Sequence, residues 1–133
     1  MAQIDELKIF NSDSSEIRVV PLILAIDDSQ MILTGLEERL GQFGFRVEQA
    51  TSGTVGILKA YHLKPDCILT DFNMPGMSGP ELCVIFKKDE ALKHIPVIML
   101  TALDSKKHIL EGVNAGADDF INKGVDVEIL VAK

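Results

Sequence analysis

Val19-Val20-Pro21-Leu22-Ile23-Leu24-Ala25-Ile26 is an apolar run of strand length, and it ends abruptly in Asp27-Asp28. A strand apolar on every residue, with no alternation of polar positions, reads as one buried on both faces. Downstream, Gln30 to Phe43 carries Ile32, Leu33, Leu36, Leu40 and Phe43 at helical period. Gly44 reads as the helix stop and Phe45 to Ala50 as a second strand. Thr54 to Tyr61 is helix-like with Ser52 as its N-cap. Cys67-Ile68-Leu69-Thr70, opened by Pro65, is a third apolar run, and Pro96-Val97-Ile98-Met99-Leu100 a fourth. Between them Glu81 to Lys88 is helical, with Leu82, Ile85 and Phe86 expected inward. Ser105 to Ala115 is helical with Ile109, Leu110 and Val113, and Gly116 stops it. Phe120-Ile121 reads as a short fifth strand, and Asp126 to Lys133 as the start of another helix. Strands alternating with helices predict an α/β fold, a parallel sheet covered on both faces.

The polar residues that close each strand carry the chemistry. The first strand ends in Asp27-Asp28, the third in Asp71, the fourth in Thr101 and the fifth in Lys123. The C-terminal strand ends of an open parallel sheet gather on one edge, where ligands bind. Three carboxylates, a hydroxyl and an ammonium are therefore expected in one place. Carboxylates brought that close repel one another, and a hard divalent cation with oxygen ligands resolves the conflict. Mg²⁺ fits, since it uses one or two carboxylates, keeps waters and shares a phosphoryl oxygen. Lys123 adds a compact charge, Thr101 a hydroxyl donor, and Asp71 a carboxylate nucleophile able to form an acyl phosphate. Such a set suits phosphoryl transfer, where positioning and charge neutralisation supply most of the catalysis.

Composition narrows the class. The chain has 133 residues, a single-domain length, with 47% apolar and 25% charged residues, as in soluble globular domains. A net charge of −7 argues against a general basic surface for a nucleic-acid backbone. No apolar run reaches the roughly 18–20 residues of a membrane span, and the N-terminus lacks a basic head before an apolar stretch. Cys67 and Cys83 lie in apolar segments and read as free buried thiols, consistent with a reducing cytoplasm. Residues 1–18 stand apart as a flexible extension, with a turn-like Asn11-Ser12-Asp13-Ser14-Ser15 run. Within it, Ile4, Leu7 and Phe10 share a short helical face, the alternative being a helix that docks on a partner.

Four stretches resemble the receiver domains of two-component response regulators. They are Ile26-Asp27-Asp28-Ser29, the run Leu69-Thr70-Asp71-Phe72-Asn73-Met74-Pro75-Gly76-Met77-Ser78-Gly79, then Pro96 to Ala102, and Gly112 to Lys123. The spacings agree as well: 43 residues from Asp28 to Asp71, 30 on to Thr101 and 22 more to Lys123. The resemblance covers residues 19–133. It implies a flavodoxin-like (βα)5 doubly wound sheet in the order 2-1-3-4-5. It also implies that Asp71 is the phosphorylation site, and that Asp27, Asp28, Asp71 and the Asn73 backbone carbonyl hold Mg²⁺. Thr101 and Phe120 become the switch pair, Ala102 the small residue leaving phosphoryl access open, and Lys123 the charge partner. The donor implied is a sensor histidine kinase, a phosphotransfer protein or a small phosphodonor. The readout implied is the face of the fourth helix, fifth strand and fifth helix, through which a homodimer could form. Such a domain is not an enzyme on other substrates, contacts neither nucleic acid nor membrane directly, and is expected in the cytoplasm.

Two positions depart from the family pattern. Gly124 follows Lys123 where many members have proline, and Leu103 is apolar at a position that influences acyl-phosphate hydrolysis. The 8 residues from Asp126 to Lys133 give roughly 12 Å of helix, so the last helix is expected to be cut short with an output domain downstream. Two other classes remain as alternatives. A degenerate receiver acting as a binding scaffold should lack Asp71, the acidic pair or Lys123. An Asp-nucleophile phosphatase of the haloacid-dehalogenase type should carry its nucleophile after the first strand as DxDx[TV], where this chain has Asp27-Asp28-Ser29-Gln30.

Overall fold

A computed structural model of the chain describes residues 20–101 and 106–122. Its elements are β1 (Leu22–Ile26), α1 (Gln30–Gln42), β2 (Arg46–Ala50), α2 (Gly53–Leu63), β3 (Cys67–Asp71), α3 (Gly79–Lys88), β4 (Val97–Thr101), α4 (Lys106–Ala115) and β5 (Asp119–Asn122). The five strands form one parallel sheet in the order β2-β1-β3-β4-β5. This is the flavodoxin-like arrangement expected. The extension 1–18, Ala102, Leu103, Lys123, Gly124 and the helix expected over 126–133 lie outside the described residues.

The unbroken apolar strands do bury both faces. All five residues of β1, and all five of β4, are buried. Their alternation sorts them into two cores. Leu24 and Ile26 join Ile68, Val97 and Met99 on one side of the sheet, with Ala60 of α2 and Leu82, Cys83 and Phe86 of α3. Ile23 and Ala25 join Leu69, Ile98, Leu100 and Ile121 on the other, beneath Leu33, Leu36 and Leu40 of α1. Each fully buried aliphatic or aromatic side chain stabilises the fold by about 1.5–3 kcal/mol relative to exposure. β2 is different, being mostly half-buried, as befits an edge strand paired only with β1.

Local signals set the helix boundaries. The Ser29 and Ser52 hydroxyls accept the backbone N–H groups of Ile32 and Val55, and Ser78 forms a reciprocal capping box with Glu81. Gly44 and Gly116, the expected stops, have φ of +91° and +99°, a region that L side chains enter at a cost. Two expectations fail. Ile85 is 40% exposed, and Cys83 takes the inward place beside Leu82 and Phe86. Phe43 is likewise half-exposed, because it caps α1 rather than extending it.

The N-terminal edge of the sheet is clasped by two aspartates. Asp66 accepts the Leu22 N–H at 2.7 Å while its own N–H donates to the Leu22 carbonyl. Asp118 repeats the exchange with Val97 at 2.8 Å and pairs with Lys87 of α3 at 2.7 Å. Burial pushes the Asp118 carboxyl up, but the Lys87 hydrogen bond, the Val97 N–H and the Lys87 charge outweigh it and hold it below its ordinary value. These clasps leave the opposite, C-terminal edge for chemistry.

Candidate functional site

The strand order reverses direction between β1 and β3, and open α/β sheets bind ligands in the crevice outside the strand ends at such a point. Register determines what stands there. Ile26 pairs with Thr70, so Asp27 and Asp71 leave neighbouring strands at the same level. The Asp27 N–H donates to the Ala50 carbonyl at 3.0 Å, and the Phe72 N–H to the Leu100 carbonyl at 2.9 Å. Each aspartate is therefore held by sheet-type pairing on at least one side.

Asp27, Asp28 and Asp71 each offer a carboxylate oxygen, and these oxygens lie within 4.8 Å of one another. Asp27 is fully buried and Asp71 is 5% exposed, whereas Asp28 is exposed and forms the solvent side of the cluster. Asp27 is also tied to the start of α1. Its Oδ1 accepts the Ser29 N–H at 2.9 Å, and the Ser29 hydroxyl in turn caps the helix. The positive end of the α1 dipole thus begins directly behind the acidic pair. Three oxygens so close, on a charged set with few cationic neighbours in sequence, match the donor chemistry of a hard divalent ion, and Mg²⁺ is satisfied by one or two carboxylates plus waters.

The remaining expected residues fall as follows. Thr101 closes β4 at the same edge, 6% exposed and opposite Asn122. Asn73 is exposed in the loop after Asp71. Phe120 stands on β5 opposite Met99, half-buried against the α3-side core. Lys123 lies just beyond the described residues.

Gly79, which in the sequence only closes a matching stretch, has a structural role of its own. A Cβ there would meet the Asp71 carbonyl oxygen and the Phe72 Cα, both backbone atoms, and the Met99 sulfur at 3.0 Å. Its N–H donates to the Phe72 carbonyl at 2.8 Å. Glycine at the first position of α3 thus lets the helix start against the backbone of Asp71, closing the loop that holds Asn73. The sequence gives no periodic signal for a residue without a side chain. Thr70, buried, donates its hydroxyl to the Asp71 carbonyl at 3.2 Å and adds a second tether.

Among the described residues no helix is long and apolar enough to cross a membrane. The DNA-binding dual master transcriptional regulator RpaA of Synechocystis is 38% identical over 114 residues, covering 86% of this chain and 47% of that protein. The response regulator PleD of Caulobacter vibrioides is 37% identical over 84% of this chain and 24% of its own length. The chain therefore spans about half or less of the length of these curated relatives. The solved structure of the Vibrio cholerae chemotaxis protein CheY4 superposes with a TM-score of 0.81 at 32% identity, covering 86% of this chain and 95% of that one. The family model for the response regulator receiver domain matches residues 23–133, a stretch that begins in β1 and includes every aspartate of the cluster. With fold, acidic cluster and sequence all in agreement, this chain belongs to the response regulator receiver domain family.

Proposed function

We propose that this domain is a phosphoacceptor switch in which Asp71 takes a phosphoryl group from a phosphohistidine of a sensor kinase or phosphotransfer protein, or from a small phosphodonor. The observation that carries the reading is the close approach of the Asp27, Asp28 and Asp71 oxygens at the β1–β3 switch point. Receiver domains as a family are signalling switches associated with histidine kinases rather than enzymes acting on separate substrates. In the step proposed, an Asp71 oxygen attacks phosphorus in line and the P–N bond to the donor imidazole breaks. The electron pair returns to that nitrogen, which takes up a proton, and an acyl phosphate remains on Asp71.

Asp27, Asp28, Asp71 and the Asn73 backbone carbonyl would hold Mg²⁺, which when bound supplies charge neutralisation at the phosphoryl oxygens. Asp27, buried and fixed by the Ser29 N–H, holds its position without rearrangement, and exposed Asp28 marks the side from which solvent and donor approach. Lys123 serves as the cationic partner of the phosphoryl group. Thr101 turns its hydroxyl to that group, and Phe120 follows it. The result biases the face of α4, β5 and the helix beyond, through which a homodimer could form. We place the domain in the cytoplasm, as the regulatory part of a longer protein, catalysing only its own phosphorylation and dephosphorylation.

Intact mass after incubation with acetyl phosphate and Mg²⁺ tests the reading. The wild type should gain one phosphoryl mass and Asp71→Ala none. An unmodified wild type, or an equal gain in the variant, would sink it and favour a binding scaffold.

A further inference from the structure

Gly112 lies in the interior of α4, where glycine is the poorest residue after proline. Its φ is not among the positive values, so its backbone does not demand glycine. The demand is spatial. A Cβ on Gly112 would fall well inside 3.0 Å of Cε2 and Cζ of Phe120, the far edge of the ring. Gly112 is buried, and the ring stands half-buried against the α3-side core. Phe120 thus rests its edge on the bare backbone of α4, in a seat that exists because residue 112 has no side chain.

We propose that Gly112 is a positioning residue for the Phe120 switch: its missing side chain forms the seat that fixes the ring rotamer and ties it to the position of α4. The inference rests on the reading of Phe120 as the aromatic that responds to phosphorylation. Phenylalanine has no hydroxyl with which to hold one rotamer by hydrogen bonding, so packing alone selects among its staggered positions. Any side chain at 112 pushes the ring out, and any rotation of the ring leaves a gap against α4 that the helix can close. The seat therefore couples the two in both directions.

The full chain labelled with 4-fluorophenylalanine gives the readout, since it has six phenylalanines and Phe120→Leu identifies the resonance concerned. Gly112→Ala should move that fluorine resonance in the unphosphorylated protein while the other five stay in place. Acetyl phosphate with Mg²⁺ should move it in the wild type and much less in the variant. Gly112→Ala should also lower Tm in the wild type yet raise it in a Phe120→Ala background, where alanine's helical preference acts unopposed. A Phe120 resonance unmoved by Gly112→Ala, or a Tm raised in both backgrounds, overturns the seat. If Gly112→Ala fails to fold, folding of the Gly112→Ala/Phe120→Ala pair supports the seat and failure of both overturns it. A wild type that gains no phosphoryl mass defeats the functional reading, while the unphosphorylated resonance and the Tm pair still judge the seat itself.

Discussion

At the scale of single residues, the place of polar side chains at strand ends was legible, and glycines that make room were not. Asp27, Asp28, Asp71 and Thr101 each close a strand, a position that can be counted from the sequence. Gly79 is needed because of what surrounds it in three dimensions, and its place at the end of a matching stretch does not say why. Gly79→Ala should therefore be costly. The clash is with the backbone of Asp71 and Phe72, which no rotamer change relieves, so a loss of about 1–3 kcal/mol is expected by urea denaturation. The variant should also accept phosphate from acetyl phosphate more slowly, because the loop after Asp71 must shift. Asp28 allows a complementary test. It is exposed, so Asp28→Asn should leave folding intact. Mg²⁺ in hundredfold excess over its Kd should stabilise the wild type by about 2.7 kcal/mol. Thermal melts with and without Mg²⁺ should show most of that gain missing in the variant, and an equal gain in both would remove Asp28 from the cation site.

Elements were legible in kind and less so in orientation. The strand runs and helix stops fell close to their expected bounds because apolar runs, serine caps and glycine stops are local signals. Which helical residues face inward depends on how each helix lies on the sheet. α3 buries Gly79, Leu82, Cys83 and Phe86, a stripe at i, i+3, i+4 and i+7 that leaves Ile85 outside. α4 turns Gly112 and Ala115 to the core while Ile109, Leu110 and Val113 stay 41–60% exposed. α4 packs chiefly beside α3 and carries its large apolar residues outward. If this is the face through which a homodimer forms, Leu110→Glu should change monomer stability by no more than about 0.5 kcal/mol. Sedimentation with acetyl phosphate and Mg²⁺ should then show dimers for the wild type and monomers for the variant. The start of α3 offers a stability test of its own. Ser78 accepts the Glu81 N–H at 3.2 Å, and Glu81 returns the bond at 2.9 Å. Ser78→Ala should cost about 1 kcal/mol in urea denaturation, and it should slow phosphorylation less than Gly79→Ala does.

For the whole molecule, the sheet's two cores follow from strands with no polar alternation, and the site follows from where those strands end. The buried thiols test that two-sided burial independently. Cys83 is fully buried in the α3-side core, and Cys67, at the start of β3, is half-buried against the α1-side core. Burial pushes both thiols from an ordinary value of 9.0 up to about 11, with Asp118 and Asp66 adding to the rise at Cys67 and Lys87 opposing it. A group whose pKa is raised by folding contributes stability below its unfolded pKa and loses it as pH climbs to the folded value. Between pH 9 and about 11 the unfolded chain sheds these protons while the folded chain keeps them, so stability falls with rising pH. The slope approaches about 1.4 kcal/mol per pH unit for each thiol. The quantity to follow is the difference in urea stability between wild type and Cys67→Ala/Cys83→Ala, in which every group common to both chains cancels. Its constant part, from the cavities left behind, should persist at neutral pH. Above pH 9 the wild-type advantage should shrink steadily, and a difference that stays flat to pH 11 would show that solvent reaches both thiols and that the sheet is not sealed on its two faces.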